Sequence, residues 1–209
     1  MGILISGPNG PIIGKVGNII GSSRNGKHYV KGPYKKRTGA VSEKELLNRK
    51  KFALAQSWLA PLKDFVREGF RGYSTQSQGF IAAKSWLLKN ALISDANGLR
   101  VDPALMKVSS GDLLNPTNIA IATTETGDLK FTWDASPGAS GDADQIMMLA
   151  YNIETKAAYF KTTGQFRSAG MDTLLLEKTP EKKIHVYAAF NAADRSRQSD
   201  SIYLGEIKI

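Results

Sequence analysis

Between Gly21 and His28 the chain reads GSSRNGKH: a glycine, four residues, then Gly26-Lys27. That spacing nearly spells the loop whose backbone N–H groups cradle nucleotide phosphates. Phosphate chemistry needs two further parts. A hydroxyl must follow the Gly-Lys pair to hold magnesium, and a helix must start with its N-terminus on the phosphates. Here His28 stands where the hydroxyl belongs, and Tyr29, Val30 and then Gly32-Pro33 follow, which stop a helix. The stretch therefore reads as a turn. Asn25-Gly26 between extended residues is a hairpin signal, because both central positions of a type I′ turn need positive φ. A two-residue loop sets Arg24 opposite Lys27, Ser22 opposite Tyr29 and Ile20 opposite Lys31. Alternation along the strands then places Arg24, Lys27, Tyr29 and Lys31 on one face.

Few other residues could do chemistry. There are two histidines and no cysteine, which excludes disulfides and thiolate metal sites. His28 belongs to the hairpin. His185 alternates with Ile184 and Val186 on a predicted strand and reads as a structural residue. No His-x-x-x-His, Gly-x-Ser-x-Gly or Ser-x-x-Lys context supports a hydrolase. In DASPGASGDADQ, Asp134, Asp142 and Asp144 could offer oxygens to calcium, but they lack the ligand order of an EF-hand loop. The expectation is no catalytic residue, no metal and no cofactor.

Charge is the stronger signal. The net charge is +9, and residues 1–75 hold 14 Lys/Arg against 4 Asp/Glu. Positive charge is thus gathered at the front of the chain, a field that favours polyanions. Arg24, Lys27 and Lys31 with Tyr29 among them match what a phosphate backbone and a stacked base need. Lys35, Lys36 and Arg37 extend the cluster. The same region carries apolar residues with little core of their own, Ile3, Leu4, Ile5, Ile12 and Ile13, which could pack on a neighbouring chain. No apolar run is long enough to cross a bilayer, and no cleavable signal is evident. A cytoplasmic or virion-associated setting is the expectation.

The elements that position these residues fall into three stretches. Residues 1-41 form a basic Gly/Pro-rich arm with the β-hairpin, built on extended Val16–Ser22 and Lys27–Lys31. Residues 42-100 are helical. Ser42 and Glu45 make a capping box, and Leu47, Leu54, Trp58, Leu62 and Phe65 share one helix face. Pro61 divides that helix near Ala60. A second helix spans about Ser77 to Ile93, ending before Asn97-Gly98, and Trp58 and Trp86 are packing residues. Residues 101-209 form the β-sandwich domain. Strands are predicted at 118–123, 128–133, 145–152, 156–161, 173–177, 184–191 and 202–209. The fold class is α+β: an N-terminal β-hairpin and two helices, then an antiparallel immunoglobulin-like or fibronectin type III-like β-sandwich. VYAAFNAADRSRQS resembles the late strand-to-turn passage of fibronectin type III modules, although no Tyr stands at the corner before it; Tyr187 lies inside the strand.

Several blocks carry a wider resemblance: GKVGNIIGSSRNGKHYVKG, SEKELLNRKKFALAQSWLAPLKDFVREGF, VSSGDL, MLAYNIETKAAYF with GQFRSAG, and SIYLGEIKI. In this order they resemble a family of unknown function common in Bacteroidota. The resemblance implies the same layout, a glycine-rich basic start, helices and a β-sandwich, in a bacterial or phage setting. It implies no activity. The expected function is a non-catalytic binding or assembly protein whose basic N-terminal surface contacts nucleic acid or another polyanion. The alternative is a structural subunit of a homo-oligomer, virion or appendage, assembled through the arm and hairpin.

Overall fold

The computed structural model describes residues 3–4, 10–24, 26–36, 38–73, 78–95, 98–135, 141–177 and 183–208. The chain forms two compact units, Met1–Glu43 and Lys44–Ile209.

The first unit is an antiparallel sheet of β1 (Ile3–Leu4), β2 (Ile12–Val16), β3 (Ile19–Arg24) and β4 (Lys27–Lys31), in that spatial order. The single extended segment expected at Val16–Ser22 is divided instead. Gly17 takes a φ of +55°, which turns the chain so that Val16 pairs with Ile19. The arm is also strand: Ile3 pairs with Ile13 and Leu4 with Ile12, while Ile5 lies outside the described residues. Gly14, at φ +100°, bends β2 across β3. A Cβ on Gly21 would stand 1.9 Å from the Ile12 carbonyl oxygen, so main chain meets main chain where only glycine fits.

In the second unit, α1 (Glu43–Leu59) begins directly after Ser42. A 3-10 turn, Ala60–Leu62, separates it from α2 (Lys63–Gly69), and Pro61 sits at the start of that turn, where a missing N–H costs nothing. This is the division expected near Ala60. Next, α3 (Gly79–Trp86) continues into one wide π-helical turn, Leu87–Ala91. The helix ends there rather than at Ile93, because β5 (Leu92–Asp95) and β6 (Gly98–Val101) form a hairpin with Asp95 opposite Gly98.

The rest is antiparallel sheet. The strands are β7 (Ala120–Thr123), β8 (Leu129–Thr132), β9 (Gln145–Asn152), β10 (Ala157–Lys161), β11 (Met171–Leu174), β12 (Lys183–Asn191) and β13 (Ile202–Lys208). They build one sheet of order β11-β8-β7 and another of order β10-β9-β12-β13. The chain is therefore α+β and mostly β.

Both central strands of the larger sheet are buried on both faces. Ile146, Met148, Ala150, Val186, Ala188 and Phe190 meet Leu129, Phe131 and Leu174 of the smaller sheet and Trp133 just after β8. Met147, Leu149, Tyr151, Tyr187 and Ala189 point the other way, onto Trp58, Leu59, Leu62, Phe65 and Leu87. That is why IMMLAY and VYAAF read as continuous apolar runs rather than alternating ones. Buried hydroxyls tie the helical layer to the sheet. Tyr151 donates to the Trp58 carbonyl at 3.1 Å, with the two rings edge to face, and Tyr187 donates to the Pro103 carbonyl at 2.8 Å. From Lys44 onward the helical region and the strands of 101-209 thus share one core within one compact unit.

Candidate polyanion-binding ribbon

The pairing of β3 with β4 is Arg24↔Lys27, Ser23↔His28, Ser22↔Tyr29, Gly21↔Val30 and Ile20↔Lys31. This is the register that a two-residue loop at Asn25-Gly26 dictates, and Gly26 supplies a positive φ of +74°. Opposed residues share a face, so Arg24, Lys27, Tyr29 and Lys31 stand together, and all four are exposed. The other face carries Gly21, Ser23, His28 and Val30, and it is this face that the Ile12 main chain crosses at Gly21. The wrap of β2 over β3 therefore leaves the cationic face outward. Lys31 is held in place: its Nζ lies 2.5 Å from the Tyr34 hydroxyl and 4.6 Å from the Tyr34 ring centre. That cation–π tether orders one end of the charge row. Lys35 and Lys36 are exposed in the irregular segment that follows, and Arg37 lies outside the described residues. The structure thus brings four of the expected contact residues onto one ribbon. Tyr34 joins them through Lys31, and its position three residues along from that lysine was the available signal.

Among the described residues the acidic loop offers no comparable arrangement. Asp134 accepts from the Thr117 hydroxyl at 2.8 Å and the Asn118 amide at 2.7 Å. Asp144 is buried and pairs with Arg167 at 3.3 Å. Asp142 lines an open cleft of about 760 Å³ with Asp112, Asp194 and Arg197. Among the described residues no group of three or more His, Asp or Glu is placed to hold a metal ion.

His185 faces the helical layer beside Tyr203, with Nδ1 2.9 Å from the Tyr203 hydroxyl. Burial lowers its pKa, and Lys183 adds to that, against the opposing pull of Glu206, 3.9 Å away, and of Asp102. Burial drives the Tyr151 phenol up to about 12 and raises the Tyr187 phenol well above its ordinary value. These groups sit in packed layers and serve the architecture.

A polar seam joins the end of α2, the VSSGDL segment and the connection between β12 and β13. Buried Gln198 donates both amide hydrogens, to the Arg71 carbonyl at 2.7 Å and the Ser110 carbonyl at 2.9 Å. The Ser109 hydroxyl faces two carbonyls, Ser199 at 2.7 Å and Gly69 at 3.0 Å, and its single proton serves one at a time. Asp200 accepts from Lys107, Ser110 and the Gly111 N–H. Gly69 and Gly111 permit the close crossing; a Cβ on Gly111 would lie 2.0 Å from the Gln198 carbonyl oxygen. The VSSGDL block is a joint between layers.

With the ribbon, both sheets and the seam in view, the comparison with known proteins gives one family. The profile of a family of unknown function, DUF6266, matches residues 11–205. The chain belongs to DUF6266. The matched span takes in β2 to β4, the helices, β5 to β12 and the first part of β13, so the ribbon lies within the DUF6266 match. No curated protein and no solved structure matches this DUF6266 chain. No helix among its described residues is long and apolar enough to cross a membrane.

Proposed function

We propose that this DUF6266 protein is a non-catalytic binding module that grips a polyanion, nucleic acid in the first instance, with its N-terminal ribbon. The observation that carries the reading is the β3–β4 register, which gathers Arg24, Lys27, Tyr29 and Lys31 on one exposed face. The three cations match successive phosphates, and Tyr29 offers a ring on which a base stacks. A bacterial or phage setting, as for the Bacteroidota proteins the sequence resembles, fits such a partner.

The C-terminal strands act as the rigid scaffold, and we read them as a fibronectin type III-like sandwich. The orders β11-β8-β7 and β10-β9-β12-β13 support this, with β7, β8 and β11 as strands A, B and E and β9, β12 and β13 as C, F and G. Trp133 packs edge to face on Phe190 between the sheets, and its Nε1 donates to the Arg167 carbonyl at 2.7 Å.

Filter binding of labelled nucleic acid across a salt series tests the polyanion reading. Three phosphate contacts give a slope of log K against log salt of roughly −2 to −3, a loss of roughly 20- to 40-fold between about 50 and 200 mM. The triple variant R24Q/K27Q/K31Q should lose most of that slope. Binding that is absent at low salt, or that ignores the triple variant, defeats the proposal.

One observation favours a second reading, a structural subunit that self-assembles through the arm. Ile3, Ile13, Val16 and Ile19 of β1 to β3 are exposed apolar residues close together in one small sheet. Light scattering decides it: a strict monomer at micromolar concentration rules it out.

A further inference from the structure

In the order β1-β2-β3-β4, the last strand has a neighbour on one side only among the described residues, and all five of its residues are exposed. Arg24 and Lys27 close the two-residue loop, so they form a hydrogen-bonded pair. Pairs alternate from there along an antiparallel ladder, so Ser22–Tyr29 and Ile20–Lys31 are bonded too. The main-chain N–H and C=O groups of His28 and Val30 therefore point away from β3. We propose that this edge takes up an extended acidic peptide segment as a fifth, antiparallel strand.

His28 and Val30 supply the ladder, and the side chains set the preference. On the cationic face Lys27 and Lys31 flank Tyr29, and a docked strand brings the residues opposite them to within roughly 5 Å. The fitting pattern is a carboxylate, an apolar residue and a carboxylate at alternate positions. On the other face Val30, 64% exposed, is matched by a β-branched residue. A second copy of β4 does not fit. The register that pairs the strand along its length sets Lys27 against Lys31 of the copy at both ends, with like charges directly opposed. The two lysines thus guard the edge against self-pairing and leave it open to an acidic strand. The proposal uses the strand's main-chain edge and does not rest on nucleic-acid binding by its face.

The test uses the full chain and two fluorescein-labelled peptides, with cores Glu-Val-Leu-Thr-Glu and Lys-Val-Leu-Thr-Lys, followed by anisotropy. The glutamate peptide should bind at least roughly tenfold more tightly than the lysine peptide. At saturation, amide exchange at His28 and Val30 should slow, while exchange at Lys27, Tyr29 and Lys31 changes less. Val30→Pro removes an N–H that points outward, so the β3–β4 ladder is retained and peptide binding should fall more than tenfold. Nucleic-acid affinity of Val30→Pro should match the unmodified chain, which separates edge from face. The inference is overturned if the glutamate peptide does not bind, if both peptides bind alike, or if exchange at His28 and Val30 in the unmodified chain is unaffected. The exchange measurement decides the matter even if Val30→Pro folds poorly.

Discussion

Gln198→Leu is the sharpest probe of how the helical layer is fastened to the strands. Leucine is close to glutamine in size and apolar, so the substitution removes two donors with little change in volume. Two carbonyls lose their partner. The Ser110 carbonyl is in a buried setting, and an unsatisfied buried acceptor costs about 1–3 kcal/mol. The Arg71 carbonyl is at the margin and rehydrates, so its loss is nearer a net hydrogen bond, about 0.5–1.5 kcal/mol. Together the change is about 1.5–4.5 kcal/mol. For a chain of this length that lowers Tm by roughly 3–18 °C, at roughly 2–4 °C per kcal/mol. The neighbouring Arg197→Ala, which removes a half-exposed side chain, is the control and should stay within about 0.5 kcal/mol. Differential scanning calorimetry of the three proteins measures both. If Gln198→Leu melts with Arg197→Ala, the seam holds nothing together.

Other changes follow the same logic. Tyr151→Phe strands the Trp58 carbonyl and should cost about 1–2 kcal/mol by urea midpoint, without altering the far-ultraviolet spectrum. Gly21→Ala forces the Ile12 carbonyl aside and should raise amide exchange across Ile12–Val16 by more than tenfold, a cost above about 1.4 kcal/mol. Stability should fall steadily with acid. His185 has a lowered folded pKa, so its contribution is complete above pH 6.5 and is lost as pH drops below that value. Burial pushes the Asp200 carboxyl up, but Lys107, Ser110 and the Gly111 N–H outweigh it, and Asp194 is lowered by Ser196. Both carboxylates stabilise above about pH 3.8 and lose that effect as pH falls through their depressed values. His185→Gln should flatten the limb below about pH 6.5, and urea midpoints that still fall equally there would refute the assignment.

Much of this molecule is legible in its sequence where local rules fix the outcome. The β3–β4 register follows from Asn25-Gly26, because a two-residue loop leaves no choice of partner. Gln145–Asn152 is a strand at both predicted ends, and Pro61 breaks the helix where a ring without an N–H must. Legibility fails where close approach decides. Gly17 reads as part of a strand until its positive φ is known, and the crossing at Gly21 depends on Ile12 in another strand. The β5–β6 hairpin has its Asn97-Gly98 signal, but the preceding helical pattern runs through Ile93 and hides the first strand. The packing of helices on the larger sheet is foreshadowed by the unbroken apolar run of β9. Nothing local says which layer covers its second face.

Backbone lying on glycine, rather than interlocking side chains, closes the N-terminal sheet at Gly21. The cationic residues on its outer surface therefore do little of the folding. Replacing them one at a time should therefore leave the platform that displays them intact.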